Sequence, residues 1–360
     1  VAEDSRIARL RLLRSAQIGP VTYRQLLARY RTAEAALEAL PMLAARGGGR
    51  PPVLADAGDI RREIAATERL GARYLFLDDA DYPPLLAELD NAPPALILRG
   101  DLTLAARTTV AMVGARNASA AACRFARQLA QALGDAGVTI VSGLARGIDT
   151  AAHVGSLATG TIGVIASGID VVFPPENADL QEQVAREGLL VAEQPPGTEP
   201  RARHFPYRNR IIAGLASGTV VVEAAPKSGS LITARLAAEA GRDVMAVPGS
   251  PLDPRAQGCN LLIREGATLV QTADDVLEML RPIDARLVRA PNTPFAGPPP
   301  RDAEVGDRRI VTELLGPVPV PVDELIRQSG LAAPVVQTVL LELELAGRLE
   351  RHAGGRVSLG

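Results

Sequence analysis

The sequence predicts an α/β protein. A mostly parallel sheet core is flanked by a helical N-terminal domain and a C-terminal winged helix. Three observations carry this. Residues 108–280 alternate short apolar, β-branched runs with helical patterns, as parallel strands joined by crossover helices require. Residues 1–70 place their apolar side chains at helical spacing. A proline-rich stretch then precedes a last segment that reads as three helices and a hairpin. The expected division is 1–72, 73–280, a linker at 281–304, and 305–360.

Composition allows this size of core. The chain has 360 residues, 47% hydrophobic and 22% charged, enough for two or three domains. Its net charge of -2 gives no global nucleic-acid signal, so any anion binding must come from local clusters. Cys123 and Cys259 are far apart and lack metal spacing, which suggests a reducing compartment. His153, His204 and His352 form no ligand motif, and no metal site or cofactor is expected. No apolar run approaches the ~18 residues of a membrane span. The start, Val-Ala-Glu-Asp-Ser-Arg, is no signal peptide and lacks an initiator Met, so a trimmed beginning is expected. A soluble cytoplasmic protein is the expectation.

In order along the chain, Ile7, Leu10 and Leu13 and then Leu26, Leu27 and Tyr30 mark two helices. Ile18-Gly19-Pro20-Val21 separates them, with Thr22 as a candidate start of the second. The pair has the pattern of a helix-hairpin-helix or sterile-alpha-motif-like unit. Seven arginines within the first 31 residues offer a basic face for nucleic acid or, more simply, a solvated surface. Gly47-Gly48-Gly49-Arg50-Pro51-Pro52 reads as a flexible loop, and a further helix spans about Asp59 to Leu70. Short elements follow at Tyr74–Leu77 and Ala95–Leu98.

Strands are expected at Thr109–Val113, Val138–Val141, Ile162–Ala166, Leu189–Ala192, Val220–Glu223, Val244–Val247 and Thr268–Val270. The first ends in Gly114-Ala115-Arg116-Asn117, before a helix from about Ser119. The second ends in Ser142-Gly143-Leu144-Ala145-Arg146-Gly147-Ile148-Asp149, before a helix at Thr150–Leu157. The strand Val220–Glu223 ends in Ala224-Ala225-Pro226-Lys227-Ser228-Gly229-Ser230, with Ser230 as the expected N-cap of a helix to about Glu239. Such loops gather at the carboxyl ends of the strands, where open α/β sheets bind ligands. Lys227 is the only lysine in the chain. Beside a helix N-terminus it suits a phosphate as a compact point charge, the alternative being a leftover surface lysine.

At the C-terminal end, Arg308–Leu315, Val322–Gln328 and Pro334–Ala346 read as helices. Leu349 and Val357 flank the hairpin signal Gly354-Gly355. The third helix carries Glu342 and Glu344 and no Lys or Arg before Arg348. DNA reading and protein contact both stay open for it, the second being at least equally favoured.

There is no Gly-x-Gly-x-x-Gly after any strand and no Walker A pattern around Lys227, which argues against dinucleotides and P-loop nucleotides. The sheet instead offers Arg116, Arg146 and Lys227. Arg201-Ala202-Arg203-His204-Phe205-Pro206-Tyr207-Arg208-Asn209-Arg210 adds four arginines and no acid. Pro206 disfavours a helix there, so an extended arrival with a helix from about Asn209–Ile211 is expected. Some of these arginines are expected to pair with Asp149, Asp170 or Glu223. Gly-x-Ser-x-Gly is absent, and His153 is expected to be a satisfied core residue rather than a general base. Glu223 ends a buried strand, where orienting the loop is the expected role and acid–base work the alternative. Only Phe205 and Tyr207 flank the basic stretch, so contacts mainly to backbone phosphates are expected.

Several ordered stretches, spanning about 100–280, resemble the DNA-processing protein A family (DprA/Smf). They are Val-Gly-Ala-Arg (113–116), Ser-Gly-Leu-Ala-Arg-Gly-Ile-Asp (142–149) with His153, and Phe-Pro-Tyr-Arg-Asn-Arg-Ile-Ile-Ala-Gly (205–214). Glu223 with Ser-Gly-Ser-Leu-Ile-Thr (228–233), Val-Pro-Gly (247–249) and Gly-Cys-Asn-Leu-Leu-Ile-Arg-Glu-Gly-Ala (258–267) complete the set. The flanking domains resemble those of the family's longer members. The resemblance implies a Rossmann-like core and a non-enzymatic, single-stranded-DNA-binding protein of natural transformation. Such a protein dimerises, protects incoming strands and loads the RecA recombinase. The phosphate-binding positions it implies are Gly114, Arg116, Ser142, Gly143, Arg146, Arg208, Asn209, Arg210, Lys227, Ser228, Gly229 and Ser230. Asp149, Glu223 and Thr233 would orient the loops. The core is also similar to phosphoribohydrolases that cleave nucleoside monophosphates. Those enzymes carry a glutamate after a glycine-rich loop, whereas here no carboxylate follows Lys227 until Glu239.

Overall fold

The computed structural model of the chain describes residues 2–280, 302–352 and 354–360. Most of the linker expected at 281–304 lies outside these residues. The described residues form two compact units, one of 2–62 with 302–360 and one of 63–280.

Four helices come first: α1 (Ala2–Arg14), α2 (Pro20–Tyr30), α3 (Ala33–Arg46) and α4 (Ala57–Arg69). The second helix starts at Pro20 rather than Thr22, because proline at the first helical position lacks an N–H that would be unpaired anyway. Thr22 is buried inside the helix.

The second unit follows. Its strands are β1 (Arg73–Phe76), β2 (Ala95–Gly100), β3 (Thr109–Gly114), β4 (Thr139–Ser142), β5 (Thr161–Gly168), β6 (Leu189–Gln194), β7 (Gly218–Val222), β8 (Asp243–Ala246) and β9 (Thr268–Leu269). Its helices are α5 (Pro84–Ala87), α6 (Ala120–Asp135), α7 (Ile148–Ser156), α8 (Ala178–Glu187), α9 (His204–Leu215), α10 (Gly229–Glu239), α11 (Gln257–Arg264) and α12 (Ala273–Leu280).

These strands make one nine-stranded sheet in the order β1-β2-β6-β5-β4-β3-β7-β8-β9. Only β2 runs against its neighbours; the pairs from β6 to β9 are parallel. The central strands are buried on both faces with a period of two. Val110 and Met112 of β3 join a core with Leu129 of α6 and Ala152 of α7. Ala111 and Val113 join the opposite core with Ile211 of α9 and Ala234 of α10. This two-faced burial is why the valine runs carry no polar alternation.

The order also fixes where a ligand can enter. From β3 the chain steps through β4, β5 and β6 in one direction, then crosses back to place β7 on the other side of β3. Loops leaving β3 and β7 therefore diverge, and it is above the carboxyl ends at such a point that open α/β sheets carry their ligand crevice.

The C-terminal segment holds α13 (Val305–Leu314), β10 (Val320–Pro321), α14 (Val322–Ser329), α15 (Ala333–Leu345), β11 (Leu349–His352) and β12 (Arg356–Leu359). The strands pair antiparallel in the order β10-β12-β11, giving a winged helix. Its core holds Val311, Leu325, Val339, Leu340 and Val357. The opposite side of α15 leaves this core: Leu341 and Leu345 join Leu12, Leu26, Leu40 and Leu43 of the N-terminal helices.

Gly47-Gly48-Gly49, expected as a flexible loop, is a packing surface. A Cβ at Gly47 would lie 2.1 Å from the carbonyl oxygen of Glu342, and one at Gly49 2.2 Å from that of Ala346. The glycines are small so that the end of α3 can lie against the end of α15.

Candidate nucleic-acid interface

The crevice is built from three loops and one helix start. Gly114, at the end of β3, allows β7 to come close: a Cβ there would stand 1.9 Å from the oxygen of Val222 and 2.5 Å from Ile148. The Ala115 N–H donates to the carbonyl of Glu223 at 2.7 Å. The Glu223 carboxylate accepts from the Ser119 N–H at 2.7 Å, and Ser119 caps α6 through the Ala122 N–H. Glu223 thus fastens the β3 and β7 loops together by both backbone and side chain. Among the described residues, five that are not glycine have positive φ. Three of them, Leu144, Glu223 and Lys227, stand in these loops, with φ of 53°, 55° and 66°. Strained backbone of this kind persists only where the surroundings fix it, and it clusters at ligand sites.

The β4 loop is wired from within. The Ser142 hydroxyl donates to the Met112 carbonyl at 2.6 Å. Asp149, buried, accepts from the N–H groups of Gly143 (3.1 Å) and Ala145 (3.3 Å). Burial raises the Asp149 carboxyl above its usual range, against the opposing effects of Arg208 and these N–H groups. Asn177 donates to the Leu144 carbonyl at 2.8 Å.

His153 accepts from the Leu144 N–H through Nε2 at 3.4 Å and meets the Thr161 hydroxyl through Nδ1 at 2.7 Å. This leaves a neutral ring with its proton on Nδ1. Burial, and then the Arg208 charge, push the His153 imidazole from 6.5 down to about 3. The folded chain keeps the ring neutral where the unfolded chain protonates it. Stability that is full above pH 6.5 is therefore lost as pH falls toward 3, by about 1.4 kcal/mol per pH unit from this group. His153→Gln is expected to flatten the dependence of the urea midpoint on pH between about 6.5 and 4. A variant that kept the parent's slope would refute this assignment.

Two of the arginines expected at phosphate are buried in the structure. Arg208 is buried, donates to the Val164 carbonyl at 2.8 Å and lies beside Gly143, where a Cβ would meet its Nη1 at 1.7 Å. Burial lowers its guanidinium to about 10, with Asp149 opposing. Arg210 is also buried and paired with Glu193. Residues two apart on a helix face different ways, so each is buried by its own partner: Arg208 by the Val164 carbonyl of β5 and Arg210 by Glu193 of β6. The helix α9 begins at His204 because Pro206 occupies the first turn, where no backbone N–H is needed. The Ser142 hydroxyl and Gly143 N–H are likewise committed inside the loop, so they hold its shape rather than face solvent.

The β7 loop is more open. Lys227 is exposed, and Asn209 donates to the Gly229 carbonyl at 3.3 Å. The cap of α10 is Ser228, two residues before the expected Ser230. Ser228 Oγ accepts from the Ser230 N–H, and the Ser230 hydroxyl meets it at 2.8 Å. Thr233 is buried one turn further on.

Arg116, Arg146, Arg201 and Arg203 are exposed. Arg146 pairs with Glu176, both partners more than half exposed, so water competes and the pair adds little to stability. The Arg116 guanidinium lies 5.2 Å from the centre of the Phe205 ring, and Phe173 packs on the same ring at 5.6 Å. Phe173 and Glu176 were not singled out from the sequence. Their only signal was position, since both follow β5 at the same sheet edge. Among the described residues no cluster of three or more His, Cys, Asp or Glu has metal-binding geometry. Among the described residues no helix is long and apolar enough to cross a membrane.

Residues 73–281 match the family of DNA recombination-mediator protein A. Residues 3–66 match a DprA-like N-terminal HHH domain, and 295–355 a DprA winged helix domain. The chain is 40% identical over 303 residues to protein Smf of Escherichia coli strain K12, which covers 83% of this chain and 81% of that protein. It is 47% identical over 206 residues to the DNA processing protein DprA of Streptococcus pneumoniae, covering 57% and 72%. The X-ray structure of DprA from that species superposes with a TM-score of 0.59 at 39% identity, covering 69% of this chain and 82% of the other. DNA processing protein A of Helicobacter pylori, studied for its single-stranded DNA binding mode, superposes with a TM-score of 0.53 at 28% identity, covering 57% and 95%. With the central match spanning more than half of the residues, the chain belongs to the DNA recombination-mediator protein A family.

Proposed function

We propose that this protein binds single-stranded DNA across the crevice between β3 and β7 and acts as a recombination mediator in natural transformation. The observation that carries the reading is the set of exposed cations Arg116, Arg146 and Lys227 on the loops after β3, β4 and β7, with exposed Arg201 and Arg203 just before α9, in a chain of net charge -2. Phosphates engage Arg116 and Lys227, with the open end of α10 adding N–H groups. Phe173, Phe205 and Tyr207 supply ring surface for stacking, which tolerates any base. The buried Arg208, Arg210, Ser142 and Gly143 act by fixing the loops that carry these groups. RecA recombinase as the receiver of the strand, a second copy of the chain, and work in the cytoplasm belong to the same proposal and rest on family membership.

Binding without turnover is part of the reading. The Glu223 carboxylate is held by the Ser119 N–H and lies 4.0 Å from Arg255, a setting that suits a fastening role. Release of free adenine from AMP, abolished by Glu223→Gln, would instead favour the phosphoribohydrolase-like alternative.

Anisotropy titration with oligo-dT tests the proposal. With three to five phosphates held, the log–log slope of affinity against salt is expected at about -2 to -3.5, from ~0.7 per phosphate. Absent or salt-independent binding would sink it.

A further inference from the structure

A winged helix that reads DNA lays its third helix in the major groove, with several polar or basic side chains free to meet base edges. The third helix here, α15, has no such face. Of Ala333–Leu345, only Ala333 is exposed. One side packs in the winged-helix core through Val336, Val339, Leu340 and Leu343. The other packs with the N-terminal helices through Leu341 and Leu345. Polar contacts follow the same seam. Gln25 donates to Gln337 at 3.0 Å, and Arg29 donates to the Thr338 hydroxyl at 3.4 Å. At the end of the helix, Arg348 donates to the Gly47 carbonyl at 3.1 Å.

Charge points the same way. The two acids of α15 are both occupied inside the unit, Glu342 by Arg308 (2.7 and 2.8 Å) and Glu344 by Arg351 (2.8 Å). The helix has no Lys or Arg. Releasing it from the N-terminal helices would expose the seam leucines, with both carboxylates still held by arginines of the winged helix itself, Arg308 and Arg351.

The N-terminal segment is shaped for this contact. Two of the three glycines at 47–49 leave no room for a Cβ against Glu342 and Ala346, and a Cβ at Gly347 would lie 2.6 Å from Gln17 Nε2. Small residues stand on both sides of the seam where the backbones come close.

We propose that α15 is a protein-docking helix whose partner is the chain's own N-terminal helical module. In this reading the winged helix closes the two ends of the chain into one body and never enters a DNA groove. The inference does not depend on the single-strand proposal.

The test uses the full chain carrying Cys123→Ser, Gln25→Cys and Gln337→Cys, joined by a short bismaleimide. Efficient intramolecular cross-linking is expected. The cross-linked and unlinked forms should bind oligo-dT and a mixed-sequence duplex with affinities equal within about twofold. Failure to cross-link would overturn the docking, and a fivefold or greater loss of duplex affinity on cross-linking would show that α15 must leave to read DNA. A second variant reads the seam without DNA. In Gly49→Val, amide exchange should accelerate together in α3 and α15; acceleration in one alone would contradict a shared body.

Discussion

Replacing Arg116 and Lys227 together by alanine is expected to weaken oligo-dT binding by at least about a hundredfold. A hydrogen bond to a charged partner contributes about 1.5–3 kcal/mol, so two lost at the lower end amount to about 3 kcal/mol. The salt slope should fall by about 1.4, twice the single-strand contribution of one phosphate. Both side chains are exposed. Thermal stability should therefore move by no more than about 0.5 kcal/mol, separating lost binding from lost folding. Unchanged affinity with an unchanged slope would remove these residues from the interface.

The second large effect concerns Glu342, whose side chain is 1% exposed and holds Arg308 in a two-point bond. Glu342→Gln leaves the Arg308 guanidinium without its counter-charge. Breaking a buried pair from one side costs about 3–5 kcal/mol, and the partial exposure of Arg308 places this case near the lower figure. The double change Glu342→Leu with Arg308→Met removes both charges and should recover most of the loss. Denaturation followed by hydrogen exchange should place the loss in the unit of chain ends, since the sheet unit contains neither residue. A single variant as stable as the parent, or a double variant less stable than the single, would contradict this account.

How much was legible in the sequence depended on whether a signal was local. The strands β3, β4, β5 and β7 show as runs of β-branched residues because both sides of the sheet are covered, and periodicity reports such burial directly. The loops after them show as glycine and serine between strand and helix. The burial of Arg208 and Arg210 is not legible, because a run of arginines looks solvated and their partners, Val164 and Glu193, come from strands distant in sequence. The cap of α10 moved from Ser230 to Ser228 because two serines stand where either can serve, and backbone angles choose between them. The meeting of Phe173 with Phe205 joins residues from two different strand–helix loops, and no spacing announces it. Gly47–Gly49 looked like a flexible loop because a glycine run has the same composition whether it moves or admits a neighbouring backbone.

The docking of the N-terminal helices on α15 has a further consequence for the sheet unit. Residues 63–280 are inserted between two segments that belong to one body. When the sheet unit unfolds while that body holds, its chain is a loop with fastened ends. Closing a loop removes conformations from the unfolded ensemble, as a cross-link does. In the chain-entropy treatment a loop of about a hundred residues gains ~5 kcal/mol, and the gain grows only logarithmically with length. The two cysteines of the chain are unpaired. The leucines and glycines of the seam thus supply by packing a restraint that other proteins obtain from a disulfide, and it can open without chemistry.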